Sequence, residues 1–363
     1  KEYEGLYCVG CEAFITEKEL VDGLCPEHKI EPELVKEKNY FFRLSKYKDK
    51  IRHLIENDDL KIVPETRKNE VLNLLDDADD FSVSRPREKI DWGIPVPDDE
   101  SQVQYVWFDA LANYITAIGY GRDEDNFRKW WPADLHIIGK GILRFHAIYW
   151  PAMLLSAGLD LPKSIFVHGY VTVNGEKISK SLGNAVSPEE IIKEYGIDPL
   201  RYYLLREISS QDDGDFSLEK LKTRYNGDLA NNLGNLVSRV QKLVEDNFEG
   251  GIKIDELRIS DEVKKQIADT EVKWREGLEN FRLHDSAAAV FSLSGFANQY
   301  IDFHKPWTLK DSNPEHLNKV MESAVFLILK IADLLEVFLP ETAEKIKGCF
   351  EKGEPLGILF PKK

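Results

Sequence analysis

The spacing of Cys8-Val9-Gly10-Cys11 and Cys25-Pro26-Glu27-His28 constrains the start of this chain more tightly than any other feature. Each pair has two intervening residues, so one tight turn can bring both side chains to a single ion. Thirteen residues separate the pairs. Three thiolates and one imidazole make a closed tetrahedral donor set suited to structural zinc. Four protein ligands leave no position open for a reacting water, which argues against a catalytic metal. Gly10 and Gly23 suit the turns of such a knuckle. The fourth cysteine, Cys349, stands alone and reads as a small buried hydrophobe.

Cysteines used in this way point to a reducing compartment, and the cytoplasm is the expected location. No apolar run approaches the roughly 18 residues that a membrane span needs, and no signal-peptide pattern opens the chain. At 363 residues there is room for two or three domains. The net charge of −16 argues against indiscriminate nucleic-acid binding. A local basic or aromatic face could still receive RNA.

From Asn39 to about Asp80 the chain reads as helical and charged. Leu44, Tyr47, Ile51, Leu54 and Ile55 form one apolar stripe, and a second helix is expected over residues 65–75. The acidic run Asp76–Asp80 reads as a linker and a domain boundary. Gln104–Tyr114 turns from strand to helix, with Trp107, Ala110 and Tyr114 on one face. His136–Lys140 reads as a short buried strand entering a glycine turn. Ile142, Phe145, His146, Tyr149 and Trp150 then line one side of the next helix. Strand–glycine turn–helix units of this kind build a doubly wound α/β sheet, whose ligands lie beyond the strand ends.

Phe166–Val173 alternates and is rich in β-branched residues, hence a strand. Ser187-Pro188 supplies an N-cap and first-turn proline for a helix. Between them, Gly175-Glu176-Lys177-Ile178-Ser179-Lys180-Ser181-Leu182-Gly183-Asn184 carries two lysines three residues apart on a loop. Ammonium groups so placed suit a polyanion whose charge changes during reaction, such as a triphosphate. A short helix follows at Asp198–Leu205, then a turn at Asp212–Ser217, with Ser217 as the next N-cap. The remainder reads as helix. Over residues 228–246, Leu229, Leu233, Leu236, Val240 and Leu243 form the apolar stripe, while Asn231, Asn235 and Arg239 lie off it. Pro306-Trp307 ends a later helix, and Asn313-Pro314-Glu315 begins another.

The loop Lys177-Ile178-Ser179-Lys180-Ser181 resembles the KMSKS signature of class I aminoacyl-tRNA synthetases, with Ile178 in place of the usual Met. The surrounding VHGYVTVNGEKISKSLGN is similar to the methionyl-tRNA synthetase family in particular, and the resemblance covers essentially the whole chain. It implies a partial doubly wound α/β nucleotide-binding fold, a small zinc-knuckle insertion, and a C-terminal all-α helix-bundle domain. It also implies ATP-dependent methionine–tRNA ligation, with Mg²⁺ accompanying ATP and Zn²⁺ held by Cys8, Cys11, Cys25 and His28. Lys177 and Lys180 would be catalytic, and Lys177, Ser179, Lys180 and Ser181 would bind ATP. Arg85, Trp107, Ala110, Tyr114, Ile142, Phe145 and His146 would surround methionine, a thioether that gains from aromatic contacts. His146 reads equally as a core histidine with a backbone partner. Asn231, Asn235, Arg239 and Trp307 would read the anticodon of tRNA(Met). Two departures from the family text are Gly141, where Asp is common, and Leu111, where Pro is common.

The resemblance divides the chain into a connective insertion (1–80), the second half of the catalytic domain (81–170), the loop and stem-contact region (171–223), and the anticodon domain (224–363). The family's other signature, an H-x-G-H motif, does not occur in these residues. The expectation is therefore a C-terminal portion, inactive until joined to an N-terminal complement of the catalytic fold. Two other readings stand beside it: a non-catalytic zinc- and tRNA-binding subunit, or a class I synthetase of the leucine, isoleucine and valine group.

Overall fold

A computed structural model describes residues 1–11, 13–26, 28–90, 92–178 and 186–363, without the side chains of Tyr3, Ala13, Lys18 and Lys177. The chain forms two compact units, Lys1–Val167 and His168–Lys363. No helix among the described residues is long and apolar enough to cross a membrane.

The first unit opens with β1 (Glu2–Cys8), β2 (Ala13–Ile15), β3 (Glu33–Lys38) and β4 (Phe41–Phe42), followed by α1 (Lys48–Glu56), β5 (Lys61–Val63) and α2 (Glu65–Asp76). It continues through β6 (Phe81–Ser82), β7 (Ser84–Pro86), β8 (Pro95–Val96), β9 (Asp99–Gln104), α3 (Val106–Thr116) and α4 (Glu124–Trp130). Then come β10 (His136–Gly139), a π-helical turn at Phe145–Tyr149, α5 (Trp150–Ala157) and β11 (Ser164–His168). β1 pairs antiparallel with β2 and with β3. The register Tyr7↔Phe14 and Cys8↔Ala13 puts Cys11 in the hairpin turn beside Cys8.

Residues 39–80 are not uniformly helical, which corrects the sequence expectation. β5 lies between the two expected helices and runs parallel to β11, with Ile62 opposite Ile165, in a sheet ordered β10-β11-β5. Three residues are too few to show a strand period, and the partner strand is a hundred residues away. The boundary expected at Asp80 separates no cores. Leu44, Ile51, Ile55, Ile62, Val71 and Leu75 share one apolar cluster with Ile138, Ile148, Ile165 and Val167. The stripe on α1 is real, with Ile51 and Ile55 fully buried, but its inner face belongs to the sheet.

The second unit contains β12 (Val171–Val173), β13 (Glu176–Lys177), α6 (Pro188–Tyr195), α7 (Ile197–Arg206), β14 (Gly214–Asp215) and α8 (Leu218–Arg224). A π-helical run at Tyr225–Gly234 leads into α9 (Asn235–Asn247). The rest is a bundle of α10 (Asp261–Glu279), α11 (Leu283–His304), α12 (Pro314–Leu335) and α13 (Pro340–Lys352). The N-caps read from sequence form: the side chains of Ser187 and Ser217 accept from the Glu190 and Lys220 N–H groups. At the helix start read at Asn313, that side chain accepts from the His316 N–H. The buried carboxylate of Asp198 caps α13 from across the unit, accepting from Thr342 N at 2.8 Å and Thr342 Oγ1 at 2.7 Å.

The single strand expected over Phe166–Val173 is broken at Gly169-Tyr170. A Cβ on Gly169 would lie 2.2 Å from the Asp212 carbonyl, so only glycine permits this approach. The helix expected over 228–246 is likewise interrupted. Its first third is the π-helical run, whose i→i+5 bonding alters the angular spacing assumed for an α-helix. Leu229, Leu233, Leu236 and Val240 are nevertheless buried, against α10–α12.

Candidate functional site

The aromatic group in the first unit is built by α3 on one side and the turn Phe145–Tyr149 on the other. Trp107 and Phe145 stack with ring centres 4.2 Å apart and planes within 10°. The Tyr114 hydroxyl donates to His146 Nε2 at 3.0 Å, and His146 Nδ1 donates to the Ile142 carbonyl at 2.9 Å. With both ring nitrogens engaged, His146 is the neutral Nδ1–H tautomer. It is 2% exposed, and burial lowers its pKa despite the Ile142 carbonyl. His146 is thus a core histidine with a backbone partner, set to orient the Tyr114 hydroxyl. Ala110 shares the α3 face and Ile142 is half-buried at the start of the turn.

Two further residues belong to this group and were not chosen as site residues from sequence. His136 lies 4.4 Å from Tyr114, ring centre to ring centre, and its Nε2 accepts the Trp150 indole N–H at 3.2 Å. Burial, together with the nearby His146, drives the His136 pKa down to about 4. Trp150 is fully buried. The short strand running into a glycine turn was the available signal for His136; nothing local announces its indole partner.

Arg85, which the resemblance also assigns to the methionine group, packs among other rings. Its guanidinium lies 5.5 Å from the Tyr7 ring, 5.1 Å from Phe14 and 4.6 Å from Tyr105. Its Nη1 donates to Ser82 Oγ and the Ser84 carbonyl, both at 2.8 Å. Among the described contacts, none joins Arg85 to Trp107, Tyr114, Ile142, Phe145 or His146. The charge is held by three ring faces, a cation–π arrangement that the linear pattern does not encode.

Cys8, Cys11, Cys25 and His28 converge, their ligand atoms all within 4.8 Å of one another. Cys11 Sγ is 3.5 Å from Cys25 Sγ and 3.2 Å from His28 Nδ1, and Cys8 Sγ is 4.0 Å from that nitrogen. A regular tetrahedron with metal–sulfur bonds of about 2.3 Å has edges of about 3.8 Å, so the set fits one tetrahedral ion. Gly10 is required here, because a Cβ would fall 2.5 Å from the His28 ring. Burial raises the Cys11 thiol far above its ordinary range, with Cys25 and Cys8 adding to the effect. Burial would raise Cys25 too, but hydrogen bonds from the His28 backbone and ring bring it down to about 7. Thiols this close ionise together only beside a cation.

Around the lysine loop, β12 and β13 form a hairpin. Its turn residues Asn174 and Gly175 have φ of 56° and 76°, the left-handed pair of a two-residue hairpin turn. Asp215 holds this turn, its Oδ1 accepting from Thr172 Oγ1 and Gly175 N, both at 2.8 Å. These bonds hold the Asp215 carboxyl below its usual range. Ser179, Lys180, Ser181 and the side chain of Lys177 lie outside the described residues, so their assignments rest on sequence alone.

Of the four residues assigned to the anticodon, Asn231 and Asn235 are exposed. Arg239 is paired with Asp302 at 2.6 Å and lies over the Trp307 ring at 5.9 Å. Trp307 is 52% exposed, so it is not a core plug. The amide that sequence reasoning passed over is Asn232. Its Oδ1 accepts from Ser294 Oγ at 2.9 Å and Asn298 Nδ2 at 3.0 Å, which fixes the π-helical run against α11.

Residues 1–241 match the family model described as tRNA synthetases class I (M), and residues 262–357 match that of the anticodon-binding domain of tRNA ligase. The chain is 43% identical to a methionine–tRNA ligase of Thermotoga maritima, over 99% of this chain and 59% of that protein. It is 47% identical to that of Clostridium acetobutylicum, over 95% of this chain and 54% of the relative. The chain thus spans somewhat over half the length of these relatives. A Mycobacterium tuberculosis methionyl-tRNA synthetase, solved in complex with methionyl-adenylate, superposes with a TM-score of 0.89 at 37% identity, covering 99% of this chain and 77% of that one. The expectation of an N-terminal complement, in the same polypeptide or as a separate subunit, finds no support in these matches.

Proposed function

The chain belongs to the class I tRNA synthetases of the (M) group, and from that premise we propose that it acts in the ATP-dependent joining of methionine to tRNA(Met). The observation that carries the reading is the Trp107–Phe145 stack beside the oriented Tyr114 hydroxyl. Ring faces receive a thioether through sulfur–aromatic contacts. Leucine, isoleucine and valine would gain from the rings by apolar burial only.

In this reading methionine attacks the α-phosphorus of ATP in line, giving methionyl-adenylate and pyrophosphate. The adenylate then acylates the terminal ribose of the tRNA. Catalysis is by positioning and charge stabilisation rather than by a protein nucleophile. Trp107, Ala110, Tyr114, Ile142 and Phe145 line the amino-acid pocket, with His146, His136 and Trp150 beneath it. Lys177 and Lys180 stabilise the departing pyrophosphate, with Ser179 and Ser181 also on ATP and Mg²⁺ accompanying the nucleotide. The Asp215-clamped hairpin gives the lysine loop a firm base. Asn231, Asn235, Arg239 and Trp307 meet the anticodon. Cys8, Cys11, Cys25 and His28 hold one structural zinc, which supplies folding energy and no reaction chemistry. Residues 171–223 join loop to helical domain and 224–363 form the anticodon domain, in a protein of the cytoplasm.

The test is amino-acid-dependent ATP–pyrophosphate exchange, followed by acylation of tRNA(Met). Exchange with methionine and not with leucine, isoleucine or valine is the expected result. Exchange with one of the aliphatic residues would move the chain to that group. tRNA binding without exchange for any amino acid would favour the non-catalytic reading.

A further inference from the structure

Both walls of the aromatic group are tied to the sheet that carries the Cys/His knuckle. Arg144, immediately before Phe145, donates from Nη2 to Glu19 Oε1 at 2.5 Å. The other oxygen of Glu19 accepts from Thr16 N at 2.7 Å and Thr16 Oγ1 at 2.9 Å, closing a capping box over the turn Glu17–Glu19. Both carboxylate oxygens are therefore committed, and the anchor for Arg144 is held from two sides. Thr16 directly follows β2, the strand after the Cys11 turn. The opposite wall is tied through Arg85. Its guanidinium bridges Tyr105, the residue before α3, to Tyr7 and Phe14, which face each other across β1 and β2. Tyr7 precedes Cys8 in the chain. Trp107 and Tyr114 thus stand on an element fastened to the knuckle sheet by Arg85, and Phe145 and His146 on one fastened by Arg144.

We propose that Glu19 and Arg144 are positioning residues for the methionine pocket, through which the metal-bound knuckle sets the spacing of its two walls. The proposal rests on the pocket reading given above. The ion pair is about one-third exposed on each side, where such a pair adds little to global stability. Its effect therefore lies in geometry. A ring stack in contact at 4.2 Å slips or parts when one partner's anchor shifts by about an ångström.

The experiment measures methionine affinity by equilibrium dialysis, with zinc content determined on the same samples. Wild-type protein, Glu19→Gln and Arg144→Lys are compared metal-loaded and after chelation. Gln at position 19 keeps an acceptor for Thr16 and loses the charge that holds Arg144. In the wild type, chelation should weaken methionine binding about tenfold. Metal-loaded Glu19→Gln should keep its zinc and already show part of that loss, and chelation should then weaken binding by a smaller factor than in the wild type, because only the Arg85 link to the knuckle sheet remains. Arg144→Lys, which keeps the charge but not the geometry, should fall between. Near-UV circular dichroism should track the same losses through the pocket rings. Unchanged affinity in metal-loaded Glu19→Gln, or equal factors on chelation in variant and wild type, would overturn the proposal while leaving the pocket reading standing. No methionine binding by metal-loaded wild type would overturn both.

Discussion

Tyr114 and His146 share a hydrogen bond of 3.0 Å in which the histidine can only accept, because its other nitrogen is spent on the Ile142 carbonyl. The direction of the tyrosine hydroxyl is therefore fixed from below. Tyr114→Phe leaves a buried acceptor unmet, and should cost about 1–2 kcal/mol in denaturant unfolding while raising the KM for methionine more than it lowers kcat. Unaltered stability and KM together would show that the hydroxyl orients nothing.

His136 makes the first unit sensitive to acid. Its pKa is about 4 in the folded protein against 6.5 when free. Between those values the unfolded chain binds the extra proton, so stability falls as pH drops from about 6.5 to 4 and is insensitive to this group above 6.5. The shift corresponds to roughly 3 kcal/mol when complete. His136→Gln can still accept from Trp150, and should flatten that part of the profile relative to wild type. Parallel profiles for the two proteins would contradict the assignment.

One zinc per chain is expected by metal analysis of protein purified without chelator. Cys11→Ser should release it and disorder the knuckle, because a structural site loses folding energy with a ligand. Iron, or no metal at all, would refute the zinc assignment.

Lys180→Ala should lower methionyl-adenylate formation by roughly 10²–10³-fold, as for one lost contact to developing charge. Methionine binding in the absence of ATP should scarcely change. Pyrophosphate exchange at the wild-type rate is the outcome that removes Lys180 from the reaction.

Trp307 is half exposed with Arg239 over its ring, and its exposed surface suits stacking on an unpaired base. Trp307→Ala should weaken tRNA recognition by roughly 1–3 kcal/mol. Acylation of a minihelix lacking the anticodon should be unaffected. Equal losses on both substrates would make Trp307 a structural residue.

Features that depend only on neighbours along the chain were legible in the primary structure. Two converging Cys/His turns, the N-caps at Ser187 and Ser217, and the stripe on α1 are each specified within a few turns of backbone, and each forms as read. Tertiary structure alone decided the rest. Lys61–Val63 becomes a strand because Ser164–Phe166 lies alongside it. Arg85 packs among the rings of Tyr7, Phe14 and Tyr105, and His136 gains its place through the Trp150 indole. The physical reason is common to all three. A short strand, a caged cation and a buried neutral histidine take their energy from partners brought close by folding, and hydrophobic periodicity records which face is buried but not what it is buried against.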